Sequence, residues 1–276
     1  MRSLLFVPGN RPERFAKARD SGADNYCIDL EDAVPQAQKE AARNAALAHI
    51  ADRKSGGSPC YLRINSLATK YGLEDLLALS TAAAHNALPD CVVLPMASSS
   101  FEVRQIIQVL SCHPDLKILP MIETPEGLDN LPAMLLEGRG RIAALALGCA
   151  DYAAAIGSDM SWDALLDARS ALLRAASAHA VPCLDGPFFD IPNLAGLRED
   201  AARVSKLGFL GKLAIHPSQV NSINEVFAPS QEKVDWAKKV IAAFEKAGGG
   251  VVSFEGMMID QPMVDQAKRI LAGEKA

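Results

Sequence analysis

The chain has 276 residues, of which 49% are hydrophobic and 22% are charged, and its formal net charge is −5 at pH 7. This balance is typical of a globular protein and excludes wholesale disorder. A slightly acidic chain without a Lys/Arg-rich block argues against a nucleic-acid or anionic-membrane partner. No apolar run reaches the ~20 residues that cross a bilayer, and the apolar stretch at residues 4–7 is too short for a signal peptide. We therefore expect a cytoplasmic protein.

Short apolar segments alternate along the chain with longer segments of helical period. Eight of the apolar segments are predicted as strands, at residues 3–7, 26–30, 60–64, 91–95, 117–122, 142–147, 181–184 and 211–215. The segments between them include predicted helices at residues 36–51, 100–110 and 162–180. Because the strand segments are apolar throughout, they are typical of parallel strands covered on both faces.

Eight strands that are each followed by a helix predict an α/β fold of the (β/α)8 TIM-barrel type. The competing architecture is a doubly wound open sheet, which normally carries a Gly-x-Gly-x-x-Gly turn after its first strand. Here the first turn reads PGNRP at residues 8–12, so the barrel is favoured.

The chain continues well past the eighth strand, which predicts a TIM-barrel domain at residues 1–228 and a C-terminal extension at residues 229–276. Ser230 is a typical N-cap, and acidic residues follow it, so a helix is predicted to about residue 246. A short strand at residues 251–254 and a helix at residues 263–272 complete the extension. It is interpreted either as a packing appendage or as a lid or oligomer contact.

Six cysteines are spread along the chain without a Cys-x-x-Cys pair. Four of them, Cys27, Cys60, Cys91 and Cys183, lie in or beside apolar runs, where a free thiol behaves as a small hydrophobic side chain. The pattern predicts reduced, mostly buried thiols rather than disulfides or a zinc site.

Active-site residues of a TIM barrel lie at the carboxyl ends of its strands, so polar residues there are the candidates for chemistry. Six of the predicted strands end in or lead into such residues: Asp29, Glu31, Asp32, Arg63, Asn65, Glu123, Asp151, Asp185 and His216. Carboxylates crowded around a single Arg repel one another unless a cation offsets them. The set therefore indicates a functional site.

Glu123 and Asp151 are the best candidates for a metal pair, because each follows an apolar strand and the two strands are predicted to be neighbours. Oxygen ligands without a nearby His or Cys fit Mg²⁺ better than Zn²⁺. The alternative is structural: Glu123 as an acid near a helix start before Pro125, and Asp151 as the N-cap of a helix that begins at Tyr152.

Arg63 presents a planar fork suited to a substrate carboxylate, and its alternative role is to pair with Asp29 or Glu31 in the barrel mouth. His216 precedes a proline and is interpreted first as a structural, hydrogen-bonded histidine and second as a base. Lys212 opens the eighth strand, away from the carboxyl end, so it is not a candidate for covalent catalysis.

Eight blocks of the chain resemble the citrate lyase β-subunit family of the HpcH/HpaI aldolase/citrate lyase superfamily, whose relatives include malyl-CoA and citramalyl-CoA lyases. The blocks follow the family's order from the first strand to the last helix. In this chain they read RSLLFVPG (2–9), DLEDAV (29–34), RIN (63–65), IET (122–124), GCAD (148–151), GFLGK (208–212), IHPSQV (215–220) and GMMIDQP (256–262).

The resemblance implies a barrel in which Glu123 and Asp151 hold Mg²⁺. It implies that Arg63 binds the carboxylate of a 2-oxo or 2-hydroxy acid, and that Glu31 and Asp32 hold water molecules of the metal. The family also implies a homotrimer or homohexamer.

In relatives that act on CoA esters, the residue that matches Asp260 reaches the active site of a neighbouring subunit and moves a proton. Arg14 and Lys17 are candidate partners for CoA phosphates. The chain departs from the family at Met96, where relatives often have Lys, and this change puts in doubt which acid or acyl carrier is accepted.

The activity implied by the resemblance is Mg²⁺-dependent cleavage of a 3-hydroxyacyl-CoA thioester, of the citramalyl, malyl or citryl type, into an acyl-CoA and a 2-oxo acid. Two alternatives stay open: a β subunit of a citrate lyase complex acting on a carrier-bound thioester, and a metal-dependent aldolase acting on free 4-hydroxy-2-oxo acids. A degenerate barrel that serves only as a binding protein is a third, non-catalytic interpretation.

Overall fold

The computed structural model describes residues 1–53, 57–85, 87–248, 250–254 and 256–274. Eight parallel strands form a closed barrel in chain order, and the first strand closes it by pairing with the eighth. The strands are β1 (Ser3–Pro8), β2 (Asn25–Asp29), β3 (Cys60–Arg63), β4 (Cys91–Leu94), β5 (Lys117–Ile122), β6 (Leu145–Leu147), β7 (Cys183–Asp185) and β8 (Gly211–Ala214). The predicted TIM-barrel fold and its eight strands are confirmed.

Helices follow the strands around the outside of the barrel. They are α1 (Phe15–Arg19), α2 (Lys39–Ala51), α3 (Lys70–Ala83), α4 (Ser100–Val109), α5 (Pro125–Asp129), α6 (Leu131–Glu137), α7 (Cys149–Ile156), α8 (Trp162–Ser177), α9 (Leu194–Leu207) and α10 (Pro217–Phe227). Several begin at an N-cap that the sequence supplies: the Thr69 hydroxyl accepts from the Gly72 N–H and the Ser161 hydroxyl from the Ala164 N–H.

The interior of the barrel is filled by one apolar cluster, to which every strand contributes. It contains Leu4, Cys27, Tyr61, Cys91, Val93, Leu119, Met121, Ala144, Ala146, Leu184 and Leu213. Neighbouring strand residues such as Ile28, Val92 and Leu145 are buried as well. Burial on both faces explains why the strand segments do not alternate between apolar and polar residues.

The six cysteines are free thiols, and five of them are buried, whereas Cys112 is exposed. This matches the prediction of reduced, mostly buried thiols. No helix in the described part of the chain is long and apolar enough to cross a membrane.

The chain divides into two compact units, Met1–Asn224 and Glu225–Ala276. The second unit contains α11 (Gln231–Lys246), the antiparallel pair β9 (Val252–Phe254) and β10 (Met257–Ile259), and α12 (Gln261–Glu274). The hydroxyl of Ser230 caps α11 as predicted, by accepting from the Lys233 N–H. A small core holds this unit together and includes Ala237, Val240, Ile259, Val264 and Ala267. Strand β10 was not predicted from the sequence.

Candidate active site

A cavity of about 460 Å³ opens at the carboxyl ends of the barrel strands. This volume lies within the usual range for a small-molecule site. The cavity is lined by residues from β1, β2, β3, β5 and β8 and from the loops and turns that follow the strands: Phe6, Val7, Pro8, Asp29, Asp32, Ala33, Arg63, Met121, Glu123, Gly148, Cys149, Ala150, Asp151, Pro187, Phe189, Leu213 and Ile215. Four carboxylates and one guanidinium therefore share this opening.

Glu123 follows directly after β5 and is buried, with 2% of its surface exposed. One carboxylate oxygen, Oε2, accepts a hydrogen bond of 2.5 Å from the backbone N–H of Met96. Burial raises the pKa of this carboxyl to about 7, although the Met96 N–H and the Arg63 charge act in the opposite direction. The N-cap of the following short helix is Thr124, whose hydroxyl accepts from the Gly127 N–H, so Glu123 has no capping role.

Asp151 lies in the first turn of α7. This helix starts immediately after β6, with Gly148 as its N-cap. Strands β5 and β6 are paired, with Ile122 opposite Leu147, and the Gly148 N–H donates to the Ile122 carbonyl at 2.9 Å. This pairing brings Asp151 and Glu123 to the same cavity. Burial and the negative charge of Asp32 raise the pKa of the Asp151 carboxyl. The structural alternative, in which Asp151 is the N-cap of a helix starting at Tyr152, is wrong because the helix starts at Cys149.

Arg63 ends β3 and is held in a fork by Asp29 at the end of β2. Its Nε and Nη2 donate to the two Asp29 carboxylate oxygens, each at 2.7 Å. Its Nη1 lies 2.7 Å from Glu31 Oε2 and 3.6 Å from Asp32 Oδ2, and its guanidinium carbon lies 5.1 Å from the centre of the Phe6 ring. Arg63 thus has the acidic partners of its alternative role while it also lines the cavity. Its binding of a substrate carboxylate stays a prediction.

Glu31 is not among the residues that line the cavity, whereas Asp32 lines it with 68% of its side chain exposed. Glu31 Oε2 is close enough to Arg63 for an ion pair, but the direction of approach does not make a hydrogen bond. Among the described residues this buried oxygen has no hydrogen-bond partner. Burial raises the pKa of Glu31 to about 8, against the opposing effect of Arg63, and neighbouring carboxylates add to the increase. Glu31 is therefore a buried carboxylate that is only partly satisfied.

Two polar residues that were expected at the barrel mouth point away from it. The Asn65 side chain lies beyond the end of β3 and donates to Asp75 of α3 at 2.7 Å. Asp185 of β7 is fully buried and pairs with Arg169 of α8 and Lys212 of β8. Neither residue lines the cavity. The Asn65 side chain is held by its hydrogen bond to Asp75, and Asp185 is held by its ion pairs with Arg169 and Lys212.

The remaining candidates lie on the surface or in the second unit. His216 is exposed, and its Nδ1 lies 2.8 Å from the Ser218 hydroxyl and accepts from the Ser218 N–H, which fits its structural interpretation. Arg14 and Lys17 are exposed, in the segment that follows β1. The Asp260 carboxylate caps α12 by accepting from the Met263 N–H at 3.3 Å.

Two contacts that support the site, made by Met96 and Lys39, were not predicted from the sequence. Met96 adopts a left-handed backbone conformation (φ 50°), uncommon for a residue other than glycine, with its N–H on Glu123. Lys39 is buried and donates from Nζ to the carbonyls of Leu30 and Glu31, each at 2.7 Å. The Met96 contact is made by the backbone and carries no residue-type signal, and Lys39 resembles any lysine at the start of a helix.

Comparison with known proteins identifies the family. Residues 2–217 match the family described as HpcH/HpaI aldolase/citrate lyase. The chain is 31% identical to human mitochondrial citramalyl-CoA lyase, over 97% of this chain and 83% of that protein. It is 32% identical to a (3S)-malyl-CoA thioesterase of Cereibacter sphaeroides, over 100% of this chain and 95% of that protein.

A solved structure shares the whole fold. The CitE protein of Mycobacterium tuberculosis, in complex with magnesium, acetoacetate and coenzyme A, has 31% sequence identity and a TM-score of 0.78, over 100% of this chain and 98% of that chain. The family match, the similarity over full length and the closed barrel agree: the chain belongs to the HpcH/HpaI aldolase/citrate lyase family.

Proposed function

We propose that this protein is a Mg²⁺-dependent carbon–carbon lyase that cleaves a 3-hydroxyacyl-CoA thioester into an acyl-CoA and a 2-oxo acid. Its family contains aldolases and citrate lyases, which cleave carbon–carbon bonds. The observation that carries the proposal is the cavity lined by Glu123 and Asp151, which follow two neighbouring strands, together with Arg63. The relatives named for CoA thioesters, and the magnesium complex of the CitE protein, support the substrate class and the metal.

The residues present fit a magnesium ion. In the part of the chain that the structure describes, no three His, Cys, Asp or Glu side chains are arranged to hold a metal together. Magnesium does not need such a set, because it keeps several water molecules and often takes only one or two protein carboxylates. Glu123 and Asp151 would supply those carboxylates, and the unsatisfied Glu31 oxygen would accept from a bound water molecule. When bound, magnesium would stabilise the alkoxide and carboxylate oxygens of the hydroxy acid.

The reaction is a retro-Claisen cleavage without net oxidation or reduction. A base removes the hydroxyl proton, the bond between the hydroxyl-bearing carbon and the carbon next to the thioester breaks, and its electron pair forms the thioester enolate. The enolate then takes up a proton to give the acyl-CoA. We assign the proton acceptor to Asp260, and the homotrimer or homohexamer implied by the family would bring it to a neighbouring subunit's cavity.

Arg63 orients the acid carboxylate so that the breaking bond is aligned. Its position is fixed by the Asp29 fork, and that rigidity makes the orientation effective. The apolar side chains of Phe6, Met121 and Leu213 line the cavity beside it and exclude water from the reacting atoms. Arg14 and Lys17 are proposed partners of the CoA phosphates, because they lie on the segment that follows β1, whose end lines the cavity.

The proposal is tested with a small panel of CoA thioesters and Mg²⁺, in which acyl-CoA, free CoA thiol and 2-oxo acid are measured together. A lyase releases equal amounts of acyl-CoA and 2-oxo acid and no free thiol, whereas a thioesterase releases free thiol. Glu123→Gln and Asp151→Asn should abolish metal-dependent cleavage while the thermal unfolding midpoint of the metal-free protein is kept. Cleavage that survives in chelator-treated Asp151→Asn protein would contradict the metal assignment.

Two related activities are separated by a free-acid substrate added to this assay and by native purification. A metal-dependent aldolase would release 2-oxo acid from a free 4-hydroxy-2-oxo acid and not from the CoA ester. A citrate lyase subunit would require a thioester on an acyl-carrier protein, and native purification would show the carrier and transferase chains bound to it. The family description, which includes aldolases and citrate lyases, keeps both as alternatives.

A further inference from the structure

Lys39 is a buried cation at a position where the helix that contains it does not favour one. It is the first residue of α2, and 7% of its surface is exposed. A positive charge at a helix N-terminus opposes the helix dipole, and a buried charge loses its hydration. Both effects lower stability, which indicates that the ammonium group serves a purpose outside its own helix.

The ammonium group of Lys39 holds the main chain of the segment that follows β2. Its Nζ donates to the carbonyl oxygens of Leu30 and Glu31, each at 2.7 Å. Since these carbonyls are consecutive, one side chain fixes two successive peptide groups. Residues 30–34, which include Glu31 and Asp32, are called the acidic loop below.

The acidic loop in turn holds the carboxylate of Asp29. The N–H of Glu31 donates to Asp29 Oδ1 at 2.8 Å, and the N–H of Ala33 donates to Oδ2 at 3.3 Å. The same two oxygens accept from Nε and Nη2 of Arg63, each at 2.7 Å. The carboxylate is therefore fixed by main-chain donors on one side and aligns the guanidinium of Arg63 on the other.

Lys39 is outside the cavity lining, so it does not touch a molecule bound there. Its effect on the site passes through hydrogen bonds: from its ammonium to the acidic loop, from the loop to Asp29, and from Asp29 to Arg63. Most of these bonds involve a charged group, and such bonds are stronger than those between neutral partners. Loss of the ammonium group should therefore loosen the loop and the fork that it supports.

From this series of contacts we infer that Lys39 is a positioning residue. It holds the acidic loop so that Asp29 keeps the Arg63 guanidinium aligned for the carboxylate of the bound acid. The inference rests on the proposed function for the identity of that acid, and it extends the site to a residue outside the cavity. The competing interpretation is that Lys39 only anchors α2 to the barrel, in which case the geometry of Arg63 does not depend on it.

The test compares two variants that each remove one buried cation of α2. Lys39→Met removes the ammonium group and keeps the approximate length of the side chain. The matched control is Arg43→Met, because Arg43 lies one turn further along α2, is also 7% exposed, and pairs with Glu74 and Asp75 of α3. Both variants should be less stable than the wild type, but only Lys39→Met should disturb the acidic loop.

Amide hydrogen exchange, measured with and without Mg²⁺, reports on the acidic loop directly. The reference is α8, which packs against β6 and β7. Relative to α8, the Glu31 and Ala33 amides should exchange about tenfold faster or more in Lys39→Met, since a hydrogen bond to a charged group contributes a factor of this size. In Arg43→Met their relative rate should stay within about threefold of the wild type. An unchanged relative rate in Lys39→Met overturns the inference.

Pyruvate binding reports on the alignment of Arg63. In calorimetric titrations of the Mg²⁺-loaded protein, the Kd for pyruvate should rise about tenfold or more in Lys39→Met, because misplacement of a binding group is costly. It should stay within about threefold of the wild type in Arg43→Met. A Kd in Lys39→Met that matches the wild type, or an equal rise in both variants, overturns the positioning role, since a purely structural role affects stability alone.

These measurements separate the inference from the proposed function. If the wild type cleaves no CoA thioester, the lyase function fails, and loop exchange and pyruvate binding still decide the role of Lys39. If the wild type also binds no pyruvate, exchange alone decides whether Lys39 holds the loop. Lys39→Gln replaces Lys39→Met if the latter does not fold, because its shorter amide keeps N–H donors. The loop amides should then exchange about threefold faster or more, and wild-type exchange overturns the inference.

Discussion

Gly148 offers the sharpest test of how Glu123 is positioned. A Cβ built at Gly148 would lie 2.4 Å from Glu123 Cγ and 2.4 Å from its Oε1. The backbone of Gly148 has φ −86°, which an alanine adopts without strain, so the effect of Gly148→Ala comes from this contact alone. Ordinary van der Waals contact begins at 3.4 Å, and the carboxylate must therefore move by about 1 Å.

Glu123 has little freedom to make that movement, because its Oε2 is bound to the Met96 N–H on the other side. A misplacement of about 1 Å at a reacting group can lower the rate about 100-fold, and we expect a loss of this size in kcat/KM together with weaker Mg²⁺ binding. The crowding should also lower the free energy of unfolding by about 1–3 kcal/mol.

The matched control is Gly157→Ala, at the other end of the same helix. Gly157 has φ 70° and nothing within 4 Å of a built Cβ, so alanine there strains the backbone without touching the site. It should lower the free energy of unfolding by about 1 kcal/mol and leave Mg²⁺ dependence unchanged. The assays are kcat/KM across a Mg²⁺ titration and thermal unfolding. Wild-type activity and Mg²⁺ affinity in Gly148→Ala would refute the placement of Glu123 as a metal ligand.

Three further predictions concern charge. Lys212→Met removes the buried cation that pairs with Asp185 and Asp200, and it should lower the free energy of unfolding by about 3 kcal/mol, measured by denaturant titration. The control is Arg104→Met, which removes an exposed ion pair with Glu137 and should leave the denaturation midpoint unchanged. Burial raises the pKa of Glu123 from 4.5 to about 7, so the folded metal-free protein binds a proton that the unfolded chain has lost. The stability of the metal-free protein should therefore fall as the pH rises from 4.5 to about 7. Over the same range, Mg²⁺ binding should strengthen about tenfold per pH unit up to pH 7. A Mg²⁺ affinity that does not depend on pH between 5 and 7 would contradict this prediction. Asp260→Asn keeps a good N-cap for α12 and removes the carboxylate, so turnover should fall while Mg²⁺ and pyruvate binding persist; unchanged turnover would remove Asp260 from the mechanism.

The barrel was predictable because its strands are buried on both faces and so appear as continuous apolar runs. The limits of single elements were less predictable. Residues 142–144 are apolar, yet β6 begins only at Leu145, and Ile142 forms an isolated bridge with Ile118. Residues 36–38 form a short 3₁₀ turn before α2, since two patterns of helical hydrogen bonding fit the same sequence.

The convergence of Glu123 and Asp151 on one cavity was also predictable, because adjacent parallel strands end at the same edge. The direction in which the side chains of Asn65 and Asp185 point was not predictable. Asn65 lies beyond the last strand residue, where the alternation of side chains no longer holds, and Asp185 turns outward to Arg169 and Lys212. Those partners come from α3, α8 and β8, at distances along the chain that strand spacing does not reveal.

The most direct measurement is a crystal structure of the protein grown with Mn²⁺ and pyruvate, with an anomalous difference map recorded to locate the metal. We expect one strong peak about 2.0–2.2 Å from carboxylate oxygens of both Glu123 and Asp151, with the pyruvate carboxylate beside Arg63. A metal peak elsewhere, or pyruvate bound away from Arg63 with no metal at these two carboxylates, would contradict the assignment of the metal and substrate sites.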